Sequence, residues 1–170
     1  MNLQQLNALS EKALSCELLK CCGSKNWLAG VLACRPYLTE KSLYTLSDTI
    51  WDGLSKVDYL EAFAQHPQIG NLATLKEKFS NTSGWASDEQ QGANQASTEV
   101  LQALHHGNQA YLQKFGYIFI VCATGKSAGQ MLELLEQRLT NEAQAELSIA
   151  AAEQNKITKL RLKKLLCLKG

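Results

Sequence analysis

Three stretches of the sequence carry side chains that could do chemistry. In "AFAQHPQIGN" an apolar helical run stops on His66, with Pro67 directly behind it. Proline disfavours helical angles in the residue before it and fixes its own backbone, so the imidazole stands on a stiff corner. An imidazole titrates near neutrality and can take and return a proton, although a His-Pro pair also serves simply to end a helix. In "WASDEQQGA" Ser87, Glu89 and Gln90 cluster at a helix start. There a serine caps and an acid is favoured by the dipole, with or without a ligand. The third stretch is "KITKLRLKKLL", whose cations suit the negative end of a helix. Arg161 differs from its neighbours, because Ile157 and Leu165 lie four residues to either side. A guanidinium on a partly apolar face can clamp an anion. An amphipathic membrane segment is the other use of such a run.

The elements that must position these groups read as helices. Ser10 can cap a segment reaching Gly23, with Leu14, Leu18 and Cys21 on one face, and Ser24 can cap "KNWLAGVLAC", which stops before Pro36. Thr39 precedes a segment with Leu43, Leu46, Ile50 and Leu54 at helical spacing. Ser55 with Asp58, and Thr74 with Glu77, have capping-box spacing. Ser87 opens a long segment running to Gly116, in which Gly92 and Gly107 are candidate bends. Ser127 opens "AGQMLELLEQRL", and Asn141 opens a last helix through about Leu168. The pattern predicts an all-α, single-domain bundle over residues 1–170, with about eight to nine helices. Tyr117–Cys122 breaks it, being β-branched, aromatic and continuous. The chain offers this buried extended segment no pairing strand, so its backbone groups must find other partners, a ligand among them.

Composition narrows the classes further. A net charge of +1 argues against a general nucleic-acid binder, and no apolar run is long enough for a membrane span. The N-terminal stretch lacks a signal-peptide pattern and the last residues are not a Ser-Lys-Leu address, so the expected location is the cytoplasm. Of the six cysteines, Cys16, Cys21, Cys22 and Cys34 match no common zinc spacing and read as small core hydrophobes. The adjacent His105 and His106 read as surface or helix-end residues, and no phosphate loop or metalloprotease motif is present.

"AFAQHPQIG", "WASDEQQGA", "NQAYLQKFGYIFIVCATGKSAGQMLELLEQRLTNEAQAEL" and "ITKLRLKKL", in that order, resemble the 2-oxo-4-hydroxy-4-carboxy-5-ureidoimidazoline (OHCU) decarboxylase family. The resemblance extends to "CCGSKNWLAGVLACRPY" and covers nearly the whole chain. It implies an all-helical, cofactor-free and metal-free enzyme of urate degradation, commonly a homodimer, that releases (S)-allantoin. It implies that His66 and Glu89 are catalytic. It further implies that Pro67, Ser87, Gln90 and Arg161 contact the substrate, and that backbone groups from Phe119 through Ile120 to Val121 bind its ring. The family usually has arginine where this chain has Gln68, so no role of that arginine carries over.

Two other classes fit the residues alone. In a helical binding module, His66-Pro67 ends a helix, Ser87 caps another and the basic last helix docks a partner. A metal-dependent hydrolase is the other, but the spacing of histidines and carboxylates does not support it.

Overall fold

Ser10, Ser24, Thr39 and Ser127 each stand one residue ahead of a helix. Each accepts the backbone N–H three residues on, from Ala13, Trp27, Ser42 and Gln130 respectively. These caps satisfy amide donors that a helix start otherwise leaves without partners. The fold is seen in a computed structural model that describes residues 1–66 and 90–167, with side chains for 1–66 and 98–166. Its helices are α1 (Leu3–Ala8), α2 (Glu11–Cys21), α3 (Lys25–Ala33), α4 (Glu40–Asp52), α5 (Lys56–Ala64), α6 (Gln90–Phe115), α7 (Ala128–Leu139) and α8 (Ala143–Cys167). Among the described residues there is no strand, and the all-α expectation holds. The helix expected behind Thr74 and Glu77 lies outside the described residues.

The chain divides into two compact units. One holds Met1–His66, Ile120–Cys122 and the chain from Leu147 onward. Its core is built on Leu6, Leu14, Leu18, Trp27, Leu43, Trp51, Phe63 and Leu162, each 0–2% exposed. Full burial of such a side chain contributes about 1.5–3 kcal/mol, so this row supplies most of the local driving force. The buried positions of α4 are Leu43, Ser47 and Trp51, while Leu46 and Ile50 are half-buried. The stripe therefore lies one residue round from the expected one. The reason is polar: the Trp27 Nε1–H donates to Ser47 Oγ at 3.2 Å, which makes a serine usable in the core. Trp51 Nε1–H likewise donates to the Ala151 carbonyl at 3.0 Å, joining α4 to α8.

Two expectations about cysteine and histidine need correction. Cys21, Cys22 and Cys122 are buried, but Cys16 and Cys34 are exposed and so are not core residues. Cys16 lies five residues before Cys21 on α2, half a turn away from the Leu14–Leu18–Cys21 face. His106 is exposed as expected, whereas His105 is half-buried with its Nδ1 lacking a hydrogen-bond partner.

The other unit includes α6, residues 117–119, α7 and the first turn of α8. Gly107 does not interrupt α6. A Cβ there would lie 2.7 Å from Leu135 Cδ2, so glycine permits the close approach of α7. Gly116 ends α6 in the left-handed conformation, with φ +78°. A buried ion pair joins α7 to the first turn of α8: Arg138 Nη2 lies 2.6 Å from Glu146 Oε1, and their side chains are 8% and 0% exposed. Asn141 Nδ2 donates to the same carboxylate at 2.7 Å, and the Tyr111 hydroxyl donates to it as well. Asn141, expected to open the last helix, thus uses its side chain on Glu146 in the first turn of α8. Burial, and then the bond to Glu146, drive the Tyr111 hydroxyl far above its ordinary pKa, so it remains a donor.

Candidate active site

His66 follows α5 directly. The last turn of α5 tightens, with Gln65 N–H on the Ala62 carbonyl at 3.2 Å and His66 N–H on Phe63 at 3.1 Å. Ala62 and Phe63 are buried and anchor this turn, while the imidazole is half-buried. The expectation that the helical run stops on His66 holds. Beside it, the Gln65 side chain packs close against Gly23.

The imidazole is held from α8. His66 Nε2 lies 2.5 Å from Gln154 Oε1, and Gln154 is fully buried. Gln154 Nε2 donates to the Thr158 hydroxyl at 3.2 Å, and that hydroxyl donates to the Gln154 carbonyl at 3.1 Å. Gln154, Thr158 and Arg161 are spaced i, i+4 and i+7, which puts them on one face of the helix. Along the axis, Gln154 and Arg161 are about 10 Å apart at a rise of 1.5 Å per residue.

Arg161 is half-buried and turned toward the C-terminal end of α2. Its Nη1 donates to the carbonyls of Lys20 at 3.2 Å and Cys21 at 3.4 Å. These belong to the last turn of α2, where a helix leaves acceptors without amide partners. The guanidinium thus offsets a negative helix end, while its planar fork has further N–H groups for an anion. The neighbouring thiols do not supply a nucleophile. Burial pushes Cys21 up to about 12, against the opposing charge of Arg161. Burial likewise pushes Cys22 up to about 11, opposed by hydrogen bonds with the Ser24 backbone and the Thr158 side chain.

The extended segment also meets α8. Cys122 N–H donates to Glu153 Oε2 at 2.7 Å, and the other Glu153 oxygen takes Lys156 Nζ at 2.5 Å. A side chain therefore replaces the pairing strand that the sequence lacks. Ile120 is buried and Val121 half-buried in the same unit. Phe119 belongs to the other unit, with its ring 5.2 Å from Tyr111 and under the Arg138 guanidinium at 4.7 Å. Its side chain has a packing role.

Of the residues expected from sequence, His66 is held by Gln154, which shares a helix face with Arg161, and the extended segment that includes Ile120 and Val121 reaches α8 through the Cys122 N–H on Glu153. Pro67, Ser87 and Glu89 lie outside the described residues, as does Gln68. Gln90 begins α6, and its side chain also lies outside them. Gln154, Thr158 and Glu153 are the residues that sequence reasoning missed. The signal that finds Gln154 is its helical spacing from Arg161, a buried-type position filled by an amide. Among the described residues, no group of three His, Cys, Asp or Glu side chains is placed to hold a metal ion. A cleft of about 400 Å³ lined by Trp51, Tyr59, Ala151, Asn155 and Lys159 contains none of the expected site residues.

The family model described as OHCU decarboxylase matches residues 7–163. The uric acid degradation bifunctional protein TTL of Arabidopsis thaliana is 38% identical over 147 residues, which are 85% of this chain and 45% of that protein. The chain spans less than half the length of the bifunctional relatives it matches, 32% in the case of one from Bacillus sp.. A 2-oxo-4-hydroxy-4-carboxy-5-ureidoimidazoline decarboxylase of Halalkalicoccus jeotgali is 28% identical over 125 residues, 71% of this chain and 65% of that one. A crystal structure of OHCU decarboxylase in the presence of (S)-allantoin matches with a TM-score of 0.70 and 36% identity, covering 88% of this chain and 96% of that one.

Proposed function

The chain belongs to the OHCU decarboxylase family, and on that premise we propose that it decarboxylates 2-oxo-4-hydroxy-4-carboxy-5-ureidoimidazoline to (S)-allantoin in the degradation of urate. The observation that carries this reading is the family match across residues 7–163, a span that includes His66, Ile120, Val121 and Arg161. In the reaction, the bond from the ring carbon to the carboxylate breaks and its electron pair moves into the adjacent ring double bond. The ring nitrogen at the far end of that bond takes up one proton. The neighbouring hydroxyl gives up its proton as the ureido-bearing carbon gains one. Net, carbon dioxide leaves and one proton is consumed. The substrate supplies its own electron sink, so the chemistry calls for no cofactor or metal.

The protein's tasks are orientation, charge stabilisation and proton delivery to one face. Arg161 orients the anionic substrate with its fork of donors. Backbone amides from Phe119 to Val121 face the ring, and donors aimed at developing charge contribute about 3 kcal/mol each. Pro67, Ser87 and Gln90 complete the contacts, and His66 and Glu89 share the proton transfers. The protein acts as one domain over residues 1–170, as a homodimer and in the cytoplasm; the family resemblance supports the dimer. Among the described residues, no helix is long and apolar enough to cross a membrane.

The test is circular dichroism during urate breakdown by urate oxidase and hydroxyisourate hydrolase, with this protein added. One enantiomer of allantoin should accumulate faster than spontaneous decay allows. The His66→Asn protein should lose at least ~10²-fold in turnover while melting normally. Racemic product at the uncatalysed rate would refute the proposal.

A further inference from the structure

The proton inventory around Gln154 constrains the chemistry of His66. The Thr158 hydroxyl has one proton; burial keeps the neighbouring Cys22 a neutral thiol that makes no claim on it, and the proton goes to the Gln154 backbone carbonyl at 3.1 Å. Towards the Gln154 side chain the hydroxyl can then only accept, and it does so from the amide NH₂ at 3.2 Å. That fixes which end of the amide faces His66. The carbonyl oxygen Oε1 lies 2.5 Å from Nε2, and a carbonyl oxygen cannot donate. A hydrogen bond there requires the proton to be on Nε2.

We infer that Gln154 is a positioning residue that holds His66 as the Nε2–H tautomer, so that the proton exchanged with substrate is carried by Nδ1. Both protonation states keep this arrangement. In the neutral imidazole, Nε2 carries the proton and Nδ1 the lone pair. In the imidazolium, Nδ1 gains a proton and Nε2–H still points at Gln154. The base and the acid of the reaction are therefore the same nitrogen, which does not have to turn between taking a proton and returning it. Gln154 is well suited to this. It is fully buried, so water does not compete for its oxygen, and its neutral amide orients the ring without adding a charge. A carboxylate in its place would favour the imidazolium and hold on to the proton. Thr158 acts one step further back, by fixing the amide. In serine proteases, loss of the correct histidine tautomer costs up to about 10⁴ in kcat, which sets the scale for such a role.

The inference rests on the proposed decarboxylase only for the identity of the proton's destination. The tautomer itself can be read without substrate. The protein is labelled with ¹⁵N at its three histidines, and the His66 resonances are those missing from His66→Asn. Above the titration range, wild-type His66 should show a protonated Nε2 and an unprotonated Nδ1. Gln154→Leu removes the acceptor and should give a tautomer mixture, with kcat down more than tenfold and KM within about threefold of wild type. Thr158→Val keeps the shape but releases the amide, so it should shift the same resonances less. Should Gln154→Leu fail to fold, Gln154→Glu keeps an acceptor oxygen and should retain a protonated Nε2. A wild-type protein with Nδ1 protonated and Nε2 accepting from a rotated amide overturns the inference. So do unchanged resonances and unchanged kcat in both Gln154→Leu and Thr158→Val. If the expected resonances appear but no decarboxylation is seen, the functional reading falls and the tautomer assignment stands.

Discussion

Gly23 lies directly beneath Gln65: a Cβ added to the glycine would come within 2.1 Å of Gln65 Cγ and 2.8 Å of its Cβ. The far end of a glutamine can swing away, but its Cβ moves only with the backbone. Gly23→Ala should therefore push the turn that carries His66. Overpacking of this kind costs about 1–3 kcal/mol. The expected result is a lower melting temperature together with reduced turnover. An alanine variant with wild-type melting and kinetics would show that the turn after α5 yields freely.

Arg161 and its neighbours on the last helix should separate sharply. Arg161→Lys keeps the charge, and an ammonium can still reach one α2 carbonyl, but the planar fork is lost. We expect kcat/KM to fall at least tenfold with little change in melting. Lys163→Ala and Lys164→Ala alter exposed cations and should stay within about 0.5 kcal/mol of wild type, with normal kinetics. Steady-state kinetics on substrate generated in place checks all three. Equal, small effects would leave Arg161 as a cap on α2 and nothing more.

Arg138 and Glu146 should behave as a buried pair. Arg138→Met leaves the Glu146 carboxylate, 0% exposed, without its cation, and breaking such a pair costs about 3–5 kcal/mol. Adding Glu146→Leu removes the stranded charge and should recover most of the loss. Urea titrations of the single and double variants measure this. A single variant within 1 kcal/mol of wild type, by the same scale, would mean that the pair contributes little.

Asp58 should give the fold part of its acid sensitivity. The Ser55 hydroxyl, then the Ser55 N–H, hold its carboxyl below the ordinary 3.8, with Asn26 adding a further bond. These donors lie 2.6, 2.9 and 2.6 Å from its oxygens. A depressed folded pKa means that the unfolded chain binds the proton more readily. The associated stability is present in full above the unfolded value and disappears as pH falls through the folded one. Asp58→Asn should flatten the stability curve below pH 3.8 relative to wild type, as followed by denaturant titration at several pH values. Parallel curves for the two proteins would assign the acid sensitivity elsewhere.

Much of this protein is written in local sequence. The serines and threonine ahead of α2, α3, α4 and α7 cap as read, because capping depends on a side chain and an amide three residues apart. The stop at His66 follows from Pro67 in the same local way. Tertiary structure decided what sequence spacing cannot carry. The burial of Ser47 rather than Leu46 depends on Trp27, twenty residues away in the chain. The partner of the extended segment is Glu153, an exposed-looking acid on a distant helix. The orientation of His66 depends on Gln154, 88 residues downstream; helical spacing puts its amide on the Arg161 face, but that it is buried against His66 is decided between elements. Local patterns specify elements because their interactions span a turn. A site is specified by contacts between elements, and a single chain does not record which of its faces will meet.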